Sequence, residues 1–442
     1  MKAAPAPALA LAFATLTLVT LISPAFAQDS AKLGELERKV DILTQEIEKL
    51  KLGESTESPA EKIQSGFAAS SSKVYGAKPN KISIGGYGEF NLTAPSKRNQ
   101  KGDSSNQKKQ LDLRRAVLYF GYKFNDWILF NSELEFEHAS SGAGDEKRGE
   151  VEMEQAYIDF RLRDEIGIRA GHIIVPLGLV NEVHEPTVFH GVNRPSVETN
   201  LIPSTWHENG AGVFGEIGPV SYRSYIVGGL TAVANAEPKT DGFTAATGIR
   251  EGRTEGSNTP IEDLAWASRV DVVPVAGVKA GVGLYVGEAD QGRTVQSVPV
   301  TLWETHATAE WRGASVKALY VEGRIGNADT LNVAQGNTDA AKNSIGSRMF
   351  GGYAEASYDL LTLLKNAKGQ SLSPFFRYER YDTQAKTPAA YSKDPANSRV
   401  EYTLGATYKP IPQIAVKLDQ QWKRNQARTG VNQWNLGLAY IF

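Results

Sequence analysis

From Lys81 onward, apolar and polar residues alternate along the chain with a period of two. The clearest run is the last ten residues, 433–442. Its apolar positions are Trp434, Leu436, Leu438, Tyr440 and Phe442. Successive side chains of a β-strand point to opposite faces, so this segment predicts a strand with one apolar face and one small or polar face. Its length matches the ~9–11 residues with which a tilted strand crosses a bilayer.

The same alternation predicts sixteen strands in all. Their predicted ranges are 82–93, 111–124, 127–138, 151–163, 166–175, 210–217, 219–230, 262–272, 276–288, 301–312, 314–323, 347–359, 371–381, 399–409, 412–423 and 432–442. The alternation slips near Arg114 and Arg115, where a β-bulge would explain it. The long connection 360–370 leaves room for another hairpin, so eighteen strands are the alternative to sixteen.

The predicted connections alternate between short and long. Tight turns such as Asn125-Asp126 and Gly313-Ala314 are followed by longer polar segments. Short turns on one side and long loops on the other are typical of a transmembrane β-barrel. An all-β, antiparallel barrel over 81–442 is therefore the predicted fold, and an even strand number places both chain ends on the periplasmic side.

The segments before residue 81 have a different pattern. An apolar run from Ala8 to Ile22 followed by Ala25-Phe26-Ala27 predicts a secretory signal peptide over 1–27. A seam of apolar residues at alternating spacings of three and four then predicts a coiled-coil helix over 28–52. The seam consists of Leu33, Leu36, Val40, Leu43, Ile47 and Leu50. Residues 53–80, rich in Ser, Ala, Gly and Lys, predict a flexible linker.

Composition excludes several classes of protein. The chain has no cysteine, so disulfides and thiolate metal sites do not arise. A formal net charge of −2 argues against a nucleic-acid partner. Charged residues make up 22% of the chain, which suits a barrel in which only alternate residues face lipid. We expect no bound metal and no cofactor, because the six histidines lack the spacing of metal ligands on a helix.

The third long loop, 176–209, is semi-apolar and rich in ionisable residues. A barrel of sixteen strands has a wide lumen, and long loops with little secondary structure are usually functional. We therefore expect this loop to fold inward and form a constriction. Its candidate constriction residues are Glu182, His184, Glu185, Arg194, Glu198 and Glu208.

Charged residues on the polar faces of the strands are expected to line the lumen. The candidate pore-lining residues are Arg115, Glu133, Glu135, Asp159, Arg161, Arg169, Arg223, Arg269 and Asp271. The acidic row on strand 127–138 resembles paired hydrolase carboxylates, but polar side chains are what a barrel presents to an aqueous lumen. No catalytic residues are predicted, and the chain is not expected to be an enzyme.

Three segments carry a family resemblance: Leu113–Phe120, Phe124–Trp127 and Gly171–Leu179. With the stretch from Arg194 to Gly215, they resemble the phosphate-selective porins of the O and P type and their uncharacterised relatives. The resemblance covers most of 81–442 and implies a trimeric channel in the bacterial outer membrane. The coiled coil would then lie in the periplasm. Four glutamates against one arginine in the third loop depart from the basic constriction of phosphate-selective members.

The closing strand resembles the signal by which outer-membrane barrels are recognised for assembly, so Tyr440 and Phe442 are the candidate assembly signal. The expected partners are the barrel assembly machinery, lipid, lipopolysaccharide, small solutes or ions, and further copies of the chain. The expected function is passive diffusion of small hydrophilic solutes through a channel narrowed by the third loop. The alternatives are a phosphate- or anion-selective porin, a structural tether of the outer membrane, and a barrel enzyme.

Overall fold

The structure, a computed structural model, describes residues 70–139, 149–236, 239–364 and 369–442. Residue contacts divide the chain into two units, Met1–Glu57 and Ser58–Phe442, and every described residue belongs to the second. The predicted signal peptide, the coiled-coil seam and linker residues 53–69 therefore lie outside the described residues. Among the described residues, no helix has the length and apolar character of a membrane span.

Sixteen of the strands close into one antiparallel barrel. They are β1 Lys81–Pro95, β2 Gln110–Lys123, β3 Ile128–Glu137, β4 Val151–Arg163, β5 Ile166–Ile174, β6 His207–Ile217, β7 Val220–Gly228, β10 Leu264–Val275, β11 Val278–Glu288, β12 Pro299–Trp311, β13 Ala314–Ile325, β14 Arg348–Tyr358, β15 Ser371–Lys386, β16 Ser398–Ile411, β17 Ile414–Asn425 and β18 Gln433–Ile441. A separate hairpin is formed by β8 Asn235–Ala236 and β9 Lys239–Thr240. Two short helices, α1 Ser196–Leu201 and α2 Ala328–Ala334, lie in loops.

The barrel is closed by the pairing of β1 with β18. Nine residue pairs connect the two strands, from Tyr87 opposite Ile441 to Pro95 opposite Gln433. Each of the sixteen strands thus has two neighbours, and the closed sheet has no exposed edge. The prediction of sixteen strands is confirmed and the alternative of eighteen is wrong, because sixteen strands close the barrel, and the described part of connection 359–370 forms a 3₁₀ turn, Leu360–Leu363.

The alternation of each strand separates an outer from an inner face. On β18, Trp434, Leu436, Leu438 and Phe442 are exposed by 44–55%. Gln433, Asn435, Gly437 and Ala439 are buried. An apolar outer face and a polar inner face are the arrangement that a bilayer imposes on a barrel.

Short and long connections separate the two ends of the barrel. The turns at 124–127, 164–165, 218–219, 276–277, 312–313 and 412–413, with connection 359–370, define the short-turn end. The connections at the other, long-loop end include the third loop, 175–206, and the fourth loop, 229–263. The first residue of β1, Lys81, and the last residue of β18, Ile441, both lie at the short-turn end.

Residues 70–77, which we call the N-terminal strap, lie inside the barrel against β1–β5. Lys73–Gly76 form a 3₁₀ turn. The hydroxyl of Tyr75 donates to Asp159 at 2.8 Å, and the Asn131 amide donates to the Ser71 carbonyl at 2.9 Å. This part of the predicted linker is thus in contact with the barrel wall, because its small and aromatic side chains fit the polar lumen face.

Deletion of Phe442 is expected to reduce barrel assembly strongly. Its backbone exchanges hydrogen bonds of 2.8 and 3.0 Å with Gly86, and its carbonyl also accepts from Ser70 Oγ at 2.8 Å. Each such bond contributes about 0.5–1.5 kcal/mol, and all three lie at the seam of the barrel. The folded fraction, read as the gel shift between boiled and unboiled samples, should fall. The variant Asn435→Ser, on the inner face of the same strand, should assemble better; equal assembly of the two variants would contradict this role of the terminal residue.

Candidate functional site in the barrel lumen

The third loop, 175–206, crosses the lumen and contacts wall strands on all sides. Of its side chains, Leu177, Val197, Leu201, Ile202 and Trp206 are fully buried. The apolar residues that looked unusual for a surface loop are therefore packed inside the barrel. Polar groups of the loop form ion pairs and hydrogen bonds with side chains of the wall.

Glu182 fastens the loop to β7 and β10. Its carboxylate lies 2.9 Å from Arg223 Nε and 3.7 Å from Arg269 Nη1. Both arginines also contact Asp271, Arg269 at 2.8 Å and Arg223 at 3.3 Å. Two acids therefore face two bases in a buried group of four charges, and Glu182 carries no uncompensated charge toward the lumen.

His184 fastens the loop to β3 and β4. Its Nε2 lies 3.0 Å from Glu133 Oε1 and 3.3 Å from Glu154 Oε2. Glu185 beside it accepts from Ser71 of the strap at 3.3 Å and from Tyr119 at 3.4 Å. Burial raises the pKa of the Glu185 carboxyl, although His184 acts in the opposite direction.

The tip of the loop is held by long basic side chains from the opposite wall. Lys417 on β17 donates to the carbonyls of Phe189 and Gly191, both at 2.8 Å. Arg377 on β15 donates to the His190 carbonyl at 2.6 Å, and Lys317 on β13 donates to the Val188 carbonyl at 3.3 Å. These cations meet backbone carbonyls of the loop and no acid on it.

Burial lowers the pKa of His190 to about 3. Glu355 opposes this effect, whereas Lys317, Lys409 and Lys417 add to it. We name these three residues the lysine cluster. All three side chains point inward close to the short-turn end of the barrel. His190 is therefore neutral near pH 7 and adds no positive charge at this level.

Helix α1 is attached to β14, β15 and β16. The Val197 N–H donates to Glu379 at 3.0 Å, and Ser196 Oγ donates to Glu401 at 2.9 Å. Glu198 accepts from the Tyr353 hydroxyl at 2.6 Å and from the Val180 N–H at 2.7 Å. Glu198 therefore acts inside the loop as an acceptor that fixes its shape.

The fourth loop lies over the third at the long-loop end. Arg250 donates to the Thr199 carbonyl at 2.6 Å, and Arg253 donates to the Thr205 carbonyl at 3.3 Å. Phe243 and Ile249 of the fourth loop are fully buried in an apolar cluster with Trp206. Among the described residues, the strand residues of this cluster belong to strands from β3 to β15. None of them belongs to β16–β18, β1 or β2.

The predicted pore-lining residues all point into the barrel, and most are ion-paired. Arg115 lies 3.0 Å from Glu89 and 3.1 Å from Glu135. Arg169 lies 2.7 Å from Asp159. Arg161 is half-buried, with its guanidinium 5.6 Å from the ring centre of Tyr75. Basic and acidic residues of the wall thus neutralise one another instead of forming rings of one sign.

One predicted position, Glu208, differs from expectation, and the bulge expected near Arg114 and Arg115 is present. Glu208 belongs to β6 and not to the third loop, because residues 207–209 pair with β5 in register. Its carboxylate accepts from Thr254 of the fourth loop at 2.7 Å. Arg114 sits at a β-bulge, where Glu89 pairs with Arg115 and Phe90 with Leu113, so it is exposed and adds nothing to the buried pairs.

Arg194 of the third loop is half-buried and donates to the His184 carbonyl at 3.3 Å. Its neighbour Asn193 is also half-buried. They are among the loop residues that keep contact with water. Asn193 lies on the side of the loop that faces away from the apolar cluster, since its amide contacts Gln421 on β17 at 3.4 Å.

Several residues of the site were missed from the sequence. A bulge between Glu133 and Leu134 turns Glu154 into the lumen, against the alternation of the rest of β4. Arg377, Glu379 and Lys417 follow the alternation of their strands, so their inward position was predictable. Their contacts with the third loop were not, because they depend on the position of residues that lie 180 to 230 positions away in the sequence.

A closed antiparallel barrel with an apolar outer belt, a charged inner face and a long loop folded into the lumen defines the class of outer-membrane porin channels. The family model of the phosphate-selective porins O and P matches residues 88–184. An uncharacterised protein of Aquifex aeolicus (strain VF5) is 34% identical over 366 residues, covering 81% of this chain and 79% of its own. The chain belongs to the porin O and P family and is an outer-membrane porin.

Solved structures resemble the fold at low sequence identity. The Salmonella typhi OmpF complex with daunomycin has a TM-score of 0.56 at 12% identity, covering 82% of this chain and 98% of its own. The anion-selective porin from Comamonas acidovorans has a TM-score of 0.50 at 13% identity, covering 82% and 99%. These similarities support the barrel architecture alone.

Proposed function

We propose that the third loop narrows the channel, so that only small hydrophilic solutes diffuse through it. The observation that carries this proposal is the set of wall contacts made by residues 177–202 on strands from β2 around to β17. A loop tied at so many points is a fixed obstacle in the aqueous path, and its position sets the size limit.

We infer that the aqueous path runs beside β16–β18, where the third loop meets the wall through its tip at Lys417 and Asp419. The large apolar cluster fills the lumen near the other strands. The inner faces here carry Asn and Gln side chains such as Asn91, Gln421 and Asn435, together with a smaller apolar cluster of Tyr87, Val117 and Tyr119 on β1 and β2. The half-buried Asn193, Arg194 and Lys423 lie beside this path. Polar groups along one wall provide hydrogen bonds to water and to passing solutes.

We infer a moderate preference for anions. The loop glutamates, which seemed to favour cations, are compensated by Arg223 and Arg269 or held by hydroxyl and N–H donors. Of the acids around the lysine cluster, Glu355 already pairs with Arg377 at 2.7 Å and Glu89 with Arg115 at 3.0 Å. This leaves three lysines against one acid, Asp419, whose carboxylate accepts from Asn435 and from the Val192 N–H. The positive charge at this level is thus left to act on solutes.

Substituting Lys317 with glutamine should reduce the preference for anions. A unit charge about 10 Å from an ion in water is worth about 0.4 kcal/mol, with opposite sign for anions and cations. The ratio of anion to cation permeability should therefore change by about fourfold. The measurement is the reversal potential of single channels in a salt gradient. Lys342→Gln, at an exposed position of the loop before β14, is the matched control and should change nothing. A cation-selective wild type would contradict the anion preference.

Assembly and attachment remain proposals. The family resemblance supports a trimer, and the coiled-coil seam Leu33–Leu50 would strengthen the association from the periplasmic side. The closing strand with Tyr440 and Phe442 is the expected contact of the assembly machinery. The basic first loop, which includes Lys97 and Lys101, is suited to phosphates of lipopolysaccharide.

A further inference from the structure

Three ligand-type atoms from three separate elements converge on one buried point of the lumen. They are Glu133 Oε1 on β3, Glu154 Oε2 on β4 and His184 Nε2 on the third loop, all within 4.8 Å of one another. All three residues are at most 2% exposed. This group, which we call the Glu–Glu–His site, goes beyond the channel function and does not depend on it.

Each of the three side chains is oriented by a hydrogen bond to the oxygen or nitrogen that does not face the shared point. Gln155 Nε2 donates to Glu133 Oε2 at 2.9 Å, and Thr205 Oγ1 donates to Glu154 Oε1 at 2.5 Å. The Asn181 carbonyl lies 2.8 Å from His184 Nδ1 and therefore fixes the proton on that nitrogen. With Nδ1–H donated to that carbonyl, Nε2 faces the two carboxylates and can bind a metal ion in exchange for its proton, and the Nδ1 hydrogen bond is the usual outer arrangement of a metal-binding histidine.

An orphaned polar atom points into the same site. Glu154 Oε2 is buried and has no hydrogen-bond partner among the described residues, although it lies 3.3 Å from His184 Nε2. The hydroxyl of Tyr87 is likewise buried without a partner there, and its ring centre lies 6.0 Å from that of His184. A buried carboxylate oxygen left without a donor is costly, so a cation at this point would satisfy it.

The spacing of the atoms and their charge fit a divalent cation. Oxygen and nitrogen ligands at about 2.0–2.2 Å from a metal lie about 3.0–3.5 Å from each other, and the observed separations from His184 Nε2 are 3.0 and 3.3 Å. Two carboxylates and a neutral imidazole carry a charge of −2, which a divalent ion cancels. Two oxygens and one imidazole nitrogen suit a transition metal better than calcium or magnesium.

We propose that Glu133, Glu154 and His184 bind one divalent transition-metal ion of the Zn²⁺ or Mn²⁺ type, which fastens the third loop to β3 and β4. The sequence hides this site, because the two acids are 21 positions apart and the histidine is 30 positions further along. The ion holds the loop at the point where it turns from the β7 side toward the strap. Its role is to position the loop, and it takes no part in a reaction.

The test uses the full-length mature protein, folded in detergent, stripped with EDTA and dialysed. Co²⁺ is titrated in and its visible absorption recorded, and bound Zn²⁺ is measured by elemental analysis after exposure to Zn²⁺ alone. We expect about one equivalent of either metal. Glu154→Gln and His184→Asn should abolish binding, and Gln155→Ala should weaken it by about 10- to 100-fold, the usual effect of losing an outer partner.

His138→Asn is the matched control, since His138 Nδ1 also lies close to a carboxylate, Asp112, at 2.6 Å, but at an exposed site with a single acid. It should bind metal as the wild type does. The gel shift on boiling shows which variants are folded, and the wild-type titration alone decides the matter if a variant does not fold. Absence of stoichiometric metal in the folded wild type would overturn the proposal and leave a protonated His184 as the link between the two acids. Equal loss of metal in His138→Asn would also overturn it.

Discussion

Replacing Glu182 with alanine is expected to release the third loop from β7 and β10. The change leaves Arg223 and Arg269 to share a single acid, Asp271, in a buried site. Removing one partner from a buried ion pair typically costs about 3–5 kcal/mol, because the remaining charge is left without compensation. We expect the lower part of that range here, since Asp271 still contacts both arginines.

Hydrogen exchange of the loop amides measures this effect directly. A loss of about 3 kcal/mol corresponds to exchange that is roughly 100-fold faster, and it should be confined to the third loop while the barrel strands stay protected. The matched control is Glu251→Ala in the fourth loop. Its pair with Arg250 at 3.6 Å is partly exposed, so it should contribute at most about 1 kcal/mol. Unchanged protection of the loop in Glu182→Ala would show that this anchor does not hold it.

Replacing Arg377 with alanine is expected to free the tip of the third loop from the wall at β15. Arg377 is fully buried, lies 2.7 Å from Glu355 and 3.6 Å from Glu379, and donates to the His190 carbonyl. Its loss leaves two buried carboxylates without their cation, which costs about 3–5 kcal/mol. The tip of the loop should then move within the channel, and single-channel recordings should show added open-channel noise and sublevels.

Arg380→Ala is the control for that recording. Arg380 lies three positions along the same strand and is exposed on the outer face, with its guanidinium 6.0 Å from the ring centre of Phe350. Its removal takes away a positive charge without touching the loop. Quiet, wild-type-like currents in Arg377→Ala would contradict the assignment of this residue as an anchor of the tip.

Much of the barrel was predictable from the sequence because a bilayer imposes a simple pattern. Lipid on one side and water or protein on the other force alternation with a period of two, and β4 was predicted with both its ends correct. Two of the largest errors fall at the long-loop end of the barrel. β6 begins at His207 instead of residue 210, and β15 continues to Lys386 instead of residue 381.

The inward fold of the third loop was also predictable, because the loop contains apolar residues that a solvated loop lacks. The wall residues that it contacts were not predictable. Glu182 looked like a source of negative field, yet it faces arginines more than forty positions away on two strands. A single sequence contains no information on such pairings, because the alternation gives only the face of a strand and not the depth at which a loop meets it.

Two local irregularities account for other differences. The bulge opposite Glu133 reverses the inner and outer faces of β4 and so brings Glu154 into the lumen, which alternation alone assigns to lipid. The sequence predicts a linker at the strap because its composition is small and polar. Inside a polar lumen the same composition is compatible with burial, as the contacts of Ser70 and Ser71 show.

The central claim, a water-filled channel narrowed by the third loop, is tested most directly by single-channel conductance in a planar bilayer. The wild type is compared with a variant in which residues 180–200 are replaced by a short Gly-Ser linker. We predict discrete conductance steps for the wild type, and steps several times larger for the shortened loop at the same salt concentration. A silent wild type, or identical steps in the two proteins, would contradict the account.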